Sequence, residues 1–211
     1  MQIAILLYNN MTALDAIGPY DVLSRIPRAT VCWVATEVGP IRTDAGLGLI
    51  ADYQLDDVPR PDVLLVPGGK QNEVMRDERV LSWIRGVHQQ TRYTTSVCTG
   101  SLILGAAGVL KGVKATTHWY VHPQLKRYGA RPVRRRVVRH GKIVTAAGVS
   151  AGIDMALQLT GKIASSTVAK TIQLGIEYDP EPPYDSGSLE AASLPIRWLS
   201  RVAMSLYSRK S

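Results

Sequence analysis

One cysteine stands where a strand is predicted to turn sharply into a helix. The β-favouring run Tyr93–Val97 ends at Cys98, and the small residues Thr99–Ser101 follow before a helix-like apolar run. A side chain at such a turn is exposed and its backbone is strained. Because the helix N-terminus faces the sulfur, we expect a lowered thiol pKa and a nucleophilic thiolate. The alternative is a buried cysteine that fills the core.

Three further residues follow predicted strands and are candidates for the same site. Asp15 comes in the first turn after the first strand, and Gly68 and Gly69 follow a buried strand ending at residue 67. Because ligands of parallel α/β sheets bind at the carboxyl ends of strands, we expect these residues to meet Cys98. A buried Asp15 would have a raised pKa and could transfer a proton. The N–H groups of Thr99 and the two glycines could bind a developing negative charge.

Each of these candidates also has a purely structural explanation. Asp15 could be an ordinary acid at a helix N-terminus, stabilised by the helix dipole. Gly68 and Gly69 could form a simple tight turn. His118 could pair with Cys98, but a lone histidine has many structural uses, and no role is assigned to it. His88, His122 and His140 show no ligand spacing with one another, and no metal is expected.

The predicted elements alternate between strands and helices. Strands are predicted at residues 3–8, 30–35, 62–67, 93–97, 133–138 and 142–146, and a hairpin at 39–53. Helices are predicted at residues 13–24, 78–91, 121–128, 165–175 and 195–207, with others after Cys98 and Ser150. This alternation predicts an α/β fold, a mostly parallel sheet flanked by helices on both faces in a flavodoxin-like sandwich. We expect one domain over residues 1–211, with the proline-rich segment and last helix of 178–211 packed on it.

Local signals refine the helix ends. Thr12 and Ser150 are predicted N-caps. Gly18 and Pro19 lie inside the first helix, so it should kink or start again there.

Composition limits the function classes. No apolar run is long enough to span a membrane, and the N-terminus lacks the features of a signal peptide. The two cysteines, Cys32 and Cys98, fit a reducing cytoplasm. The net charge is +8, but the basic residues are dispersed apart from Arg131–His140, which we interpret as a solvated edge or loop. Binding of nucleic acid is therefore not expected.

Several segments resemble the ThiJ/PfpI superfamily, which has a class I glutamine amidotransferase-like fold. They are Leu14-Asp15, Gly18-Pro19, Val66–Gly69, Thr95–Ser101, Ala115–Trp119, Ala151–Asp154 and the proline-rich stretch from Glu177. Within the superfamily, the chain looks like the bacterial isonitrile hydratases. The resemblance covers nearly the full length.

The resemblance implies a reaction and a set of roles. Isonitrile hydratases add water to an isonitrile, R–N≡C, and release the N-substituted formamide, without a metal or organic cofactor and as homodimers. Carried over, Cys98 would attack the terminal carbon, and Asp15 would protonate the substrate and later activate water. Thr99 would help to hold the site, and the thioimidate so formed would be hydrolysed.

Other branches of the superfamily remain alternatives. Many members carry Glu at the position of Asp15, and protease and glyoxalase-like members often have His where this chain has Thr99. Both differences point away from those branches. The same fold also forms the sensing half of AraC-type regulators, but only about thirty residues follow Tyr178, too few for a DNA-binding domain. A ligand sensor or a glyoxalase-like stress protein is the alternative function.

Overall fold

A computed structural model describes residues 1–209 and is built around one large sheet. The strands are β1 (Gln2–Leu6), β2 (Thr30–Ala35), β3 (Gly39–Arg42), β4 (Gly48–Ala51), β5 (Tyr53–Gln54), β6 (Val63–Val66), β7 (Tyr93–Ser96), β8 (Lys114–Ala115), β9 (Arg131–Pro132), β10 (Val137–His140) and β11 (Ile143–Ala146). The α-helices are α1 (Ala13–Leu23), α2 (Glu78–Gln90), α3 (Gly100–Ala106), α4 (Ala151–Ile163), α5 (Ser166–Gly175) and α6 (Leu194–Arg209). Short 3₁₀ helices lie at Leu55–Asp57, Val74–Arg76 and Trp119–Tyr128.

The central sheet has seven strands in the order β10-β11-β7-β6-β1-β2-β5. Neighbouring strands are parallel, except that β10 pairs antiparallel with β11 at one edge. Helices flank the sheet in two groups. In one, α4 packs against both α1 and α5, and in the other, α3 packs against both α2 and the helix at 119–128. The prediction of a mostly parallel, flavodoxin-like α/β sheet is confirmed.

The centre of the sheet is apolar on both of its sides. Ile3 and Ile5 of β1 and Leu64 and Leu65 of β6 have no exposed surface. Continuous apolar runs are typical of parallel strands covered on two faces, because both sides of each strand must be removed from water. This buried centre fixes the carboxyl ends of β1, β6 and β7 side by side.

The predicted hairpin at 39–53 is confirmed as the antiparallel pair β3–β4, which forms a separate two-stranded sheet. After it, β5 joins the edge of the central sheet beside β2. The hairpin leaves the sheet and carries Asp44 in its turn. This residue borders the candidate site.

The first helix does not restart at its proline. α1 continues through Gly18 and Pro19, because these residues allow a close contact with α4. A Cβ on Gly18 would lie 3.1 Å from Cγ1 of Ile153, and a Cβ on Gly152 would lie 3.0 Å from Cγ of Pro19. Packing between the helices thus offsets the backbone hydrogen bond that proline cannot make.

The predicted side-chain caps at Thr12 and Ser150 are wrong, although both residues occupy N-cap positions. The Thr12 hydroxyl donates to the Asp44 carboxylate at 2.7 Å instead. The Ser150 hydroxyl accepts from Arg136 at 3.2 Å. In each case the hydroxyl forms a hydrogen bond with a charged group from a distant segment and not with the N–H groups of its own helix.

The C-terminal helix α6 leaves much apolar surface exposed. Its large exposed apolar side chains are Leu194, Ile196, Trp198, Leu199, Val202 and Leu206. Tyr207 nevertheless joins α6 to the rest of the chain through Asp44. That residues 1–211 form one domain stays a prediction. Within residues 1–209, no helix is long and apolar enough to cross a membrane.

Candidate active site

Cys98 lies in the elbow, the sharp turn between β7 and α3, as predicted. Its φ angle is 55°, a left-handed conformation that a non-glycine residue rarely adopts. The turn needs Gly100, because a Cβ there would lie 2.1 Å from the carbonyl oxygen of Val66. Strained backbone of this kind costs about 1–3 kcal/mol and is found mainly where function requires it.

Two hydroxyl groups hold the backbone of the elbow. The Thr117 hydroxyl donates to the Cys98 carbonyl oxygen at 2.8 Å, and the Ser101 hydroxyl donates to the same oxygen at 3.3 Å. Both residues lie in segments that resemble the superfamily, but their hydrogen bonds to Cys98 could not be predicted from the sequence. A threonine nineteen residues from the cysteine gives no local signal that it supports the turn.

Asp15 meets Cys98 beneath the elbow. The carboxyl group has no exposed surface, and its Oδ2 accepts from the Gly68 N–H at 2.8 Å. Burial raises the pKa of Asp15 from its ordinary 3.8 to about 7, with a small further rise from the charge of Asp44, while the bonds from Gly68 and the Cys98 thiol oppose the shift. Asp15 can therefore give or accept a proton near neutral pH.

The expectation of a lowered thiol pKa at Cys98 is wrong. Burial and the neighbouring Asp15 charge raise the pKa of the Cys98 thiol well above 9, and the hydrogen bonds from Thr99 only partly oppose them. At neutral pH the sulfur therefore carries its proton in the resting protein. A nucleophilic thiolate would therefore require transfer of that proton, and Asp15 is an adjacent group that could accept it.

Gly68 and Gly69 lie at the site, but their N–H groups point to internal partners. Gly68 N–H donates to Asp15, and Gly69 N–H donates to the Thr99 hydroxyl at 2.9 Å. Thr99 Oγ1 in turn lies 3.1 Å from the Gly69 carbonyl, to which it donates. Because these two donors hold Asp15 and Thr99 in place, they do not form the anion hole predicted at the two glycines. The Thr99 N–H, which interacts with the thiol, keeps its expected place beside the sulfur.

We expect Gly68→Ala to reduce activity by about 10²-fold or more, since misplacing reacting groups by about 1 Å has this effect. The added Cβ would lie 2.5 Å from Thr99 N, 2.6 Å from Thr99 Oγ1 and 2.9 Å from Asp15 Oδ2, so the acid and the elbow must move apart. Steady-state kinetics measures the loss. Gly86→Ala is the control, because its added Cβ meets no atom within 4 Å. Equal activity of the two variants would contradict this account.

A second carboxylate borders the site from the β3–β4 turn. Asp44 Oδ2 accepts hydrogen bonds from the Thr12 hydroxyl, at 2.7 Å, and from the Tyr207 hydroxyl of α6. The Lys70 ammonium lies 5.1 Å from the centre of the Tyr207 ring. These contacts bring α6 to the loop that follows β6. No sequence signal pointed to Asp44, because its partner Tyr207 is 163 residues away.

Asp44→Asn is expected to lower the pKa of Asp15, because it removes a negative charge that raises it. The pH at which kcat/KM rises should therefore move to a lower value, and the change should be small because burial is the main cause of the raised pKa. Tyr207→Phe is the matched control, as it removes a bond to Asp44 but keeps the charge. A shift of this rise to higher pH in Asp44→Asn would contradict the assignment.

A cavity of about 450 Å³ adjoins the elbow. Thr117, which bonds to Cys98, and Leu14, the neighbour of Asp15, both line it. His118 also lines it, but its Nδ1 accepts from the Tyr120 N–H at 3.4 Å, and burial lowers its pKa. Among residues 1–209 no group of three or more His, Cys, Asp or Glu side chains could hold a metal ion.

A buried acid paired with an elbow cysteine, at the carboxyl edge of a parallel sheet, defines an α/β protein of the nucleophile-elbow class. The chain belongs to the DJ-1/PfpI family, which residues 1–162 match. It is 46% identical over 193 residues to a protein of Pseudomonas putida named isonitrile hydratase, covering 91% of this chain and 85% of that protein.

Two solved structures extend the comparison. A ThiJ/PfpI family protein from Pseudomonas syringae superposes with a TM-score of 0.95 at 37% identity, covering 99% of this chain and 88% of that one. Drosophila melanogaster DJ-1beta superposes with a TM-score of 0.77 at 19% identity, covering 85% of this chain and 98% of that one. The second likeness concerns the fold alone.

Proposed function

We propose that the protein is an isonitrile hydratase, which converts an isonitrile and water to the N-substituted formamide. The observation that carries the proposal is the buried Asp15 carboxyl, with a pKa of about 7, against the Cys98 thiol. The 46% identity to the Pseudomonas putida isonitrile hydratase supports the same reaction. The terminal carbon of an isonitrile must gain both a nucleophile and a proton, and this pair supplies both.

In the first half-reaction, Asp15 accepts the Cys98 proton as the sulfur attacks the terminal carbon. The protonated Asp15 then delivers that proton to the same carbon. The products are a thioimidate, R–N=CH–S–Cys98, and an ionised Asp15. Atoms balance because the S–H group has been added across the isonitrile carbon.

In the second half-reaction, ionised Asp15 removes a proton from water as the oxygen attacks the thioimidate carbon. That proton passes to the nitrogen, and the C–S bond breaks as the second water proton moves from the hydroxyl of the intermediate to the sulfur. The product R–NH–CHO leaves. We assign Thr99 to holding the site, because its hydroxyl bonds both to the N–H and to the carbonyl of Gly69.

Cyclohexyl isocyanide is the test substrate, and N-cyclohexylformamide is the product to follow by chromatography. Steady product formation that requires Cys98 would establish the reaction. No product, with Cys98 still alkylated by iodoacetamide, would reject the proposal in favour of a ligand sensor or a glyoxalase-like stress protein.

We also propose that the enzyme is a cytoplasmic homodimer that needs no cofactor. The two free cysteines, Cys32 and Cys98, fit a reducing compartment. A second copy would bury exposed apolar side chains of α6 such as Leu194 and Trp198. A solution mass equal to one chain, measured by light scattering, would exclude the dimer.

A further inference from the structure

The cavity beside the elbow has a mixed lining that bears on the substrate. Thr117, which bonds to the Cys98 carbonyl, and Leu14, next to Asp15, belong to its lining, whereas Cys98 and Asp15 themselves do not. Trp119 and Val149 contribute apolar wall. The volume of about 450 Å³ lies in the range of small-molecule pockets. A substrate whose reacting carbon meets Cys98 would extend its N-substituent into this space.

Three consecutive arginines, Arg134–Arg136, line the same cavity. Arg136 is neutralised, because its guanidinium forms an ion pair with Asp154 and also donates to Ser150. Arg134 has only a long contact of 4.0 Å with Glu190. For Arg135, no ion pair is found among residues 1–209. Three guanidinium groups thus face two carboxylates, which leaves one positive charge uncompensated at the cavity.

Other groups of the lining do not cancel this charge. His118 carries no negative charge in either protonation state, and burial lowers its pKa from the ordinary 6.5. The N-terminus of α4 begins at Ala151, directly after the lining residues Gly148–Ser150. Its dipole adds positive potential on the same side. The lining of the cavity therefore combines apolar side chains with an excess of positive charge.

We propose that this cavity selects isonitriles whose N-substituent ends in a carboxylate, with Arg135 as the residue that binds the anion. The inference rests on the proposed hydratase function. An arginine fork binds a carboxylate through two parallel hydrogen bonds, and Arg135 has no anionic partner within residues 1–209 to displace. The apolar wall accommodates the carbon chain between the two ends.

The test compares 4-isocyanobutanoate with its methyl ester, which has the same chain without the charge. We expect kcat/KM to favour the acid over the ester. In Arg135→Gln the acid-to-ester ratio should fall about tenfold, mainly through KM of the acid, as expected for loss of one charge-assisted contact. Arg131→Gln is the control, because Arg131 lies outside the cavity lining and should leave the ratio unchanged. An equal ratio in Arg135→Gln and the native protein would overturn the proposal.

Calorimetry with the formamide products separates this inference from the proposed reaction. Native protein should bind 4-formamidobutanoate more tightly than its methyl ester, and Arg135→Gln should remove the difference. If neither isonitrile reacts but this pattern holds, the hydratase function fails and the anion site stands. If both isonitriles react and binding shows no preference for the acid, the anion site fails and the hydratase function stands.

Discussion

Cys98→Ala is expected to abolish isonitrile hydration, with a fall in kcat of at least about 10³-fold. The variant lacks the atom that forms the C–S bond, and Asp15 alone cannot hold the isonitrile carbon as a covalent intermediate. Formamide production measured by chromatography gives the rate. Intact-mass analysis after rapid acid quenching should show one substrate mass added to native protein and none added to the variant.

Cys32→Ala is the matched control for this variant. Cys32 is also a nearly buried cysteine, at 2% exposure, but it lies within β2, where its thiol interacts with Gln2. Its variant should lose some stability and keep its activity, whereas Cys98→Ala should unfold in a cooperative transition like the native protein. Full activity in Cys98→Ala would remove the proposed mechanism.

Much of the fold could be predicted from sequence because a buried parallel sheet has a strong pattern. The apolar runs of β1 and β6 are uninterrupted, and turn residues separate them from amphipathic helices. Cys98, Thr99 and Asp15 could be placed for the same reason, since each follows a recognisable strand. The structure brings all three together, as expected from the rule that carboxyl ends of parallel strands meet at one edge.

The thiol pKa could not be predicted because two opposing effects depend on three-dimensional detail. A helix N-terminus stabilises an exposed negative charge by about 0.3–1 kcal/mol, and α3 has only seven residues. Full burial can shift a pKa by about 3–5 units, which is several times larger. Cys98 is only 6% exposed and lies against Asp15, so burial and the adjacent acid outweigh the dipole.

Contacts between distant segments could not be predicted from the sequence either. The Asp44–Tyr207 bond depends on where a hairpin and the last helix meet. The inward N–H groups of Gly68 and Gly69 depend on the exact positions of Asp15 and Thr99. Arg134–Arg136 do form an exposed loop, as interpreted, but that this loop borders a cavity follows only from its place beside α4.

Asp15→Asn is expected to reduce kcat/KM by about 10²–10⁴-fold, the usual contribution of a general acid–base group. Asparagine can still accept the Gly68 N–H bond, so the site keeps its shape but loses the group that moves the proton. The measurement is the pH profile of kcat/KM. In native protein it should rise through about pH 7, because ionised Asp15 is needed to accept the thiol proton. The remaining activity of Asp15→Asn should lack this limb, and a limb retained at pH 7 would assign it to another group.

Asp15→Asn is expected to lower activity but to raise the stability of the fold above neutral pH. This pair of effects distinguishes a catalytic Asp15 from a structural one. The folded pKa of about 7 lies above the ordinary 3.8, so the folded protein binds this proton more tightly than the unfolded chain does. Stability is then lost as pH rises from about 4 to above 7, where a buried carboxylate must ionise. Asp15→Asn avoids that cost and should melt at a higher temperature than native protein at pH 8, with the difference shrinking by pH 4. A variant less stable than native protein at pH 8 would instead mean that ionised Asp15 supports the fold.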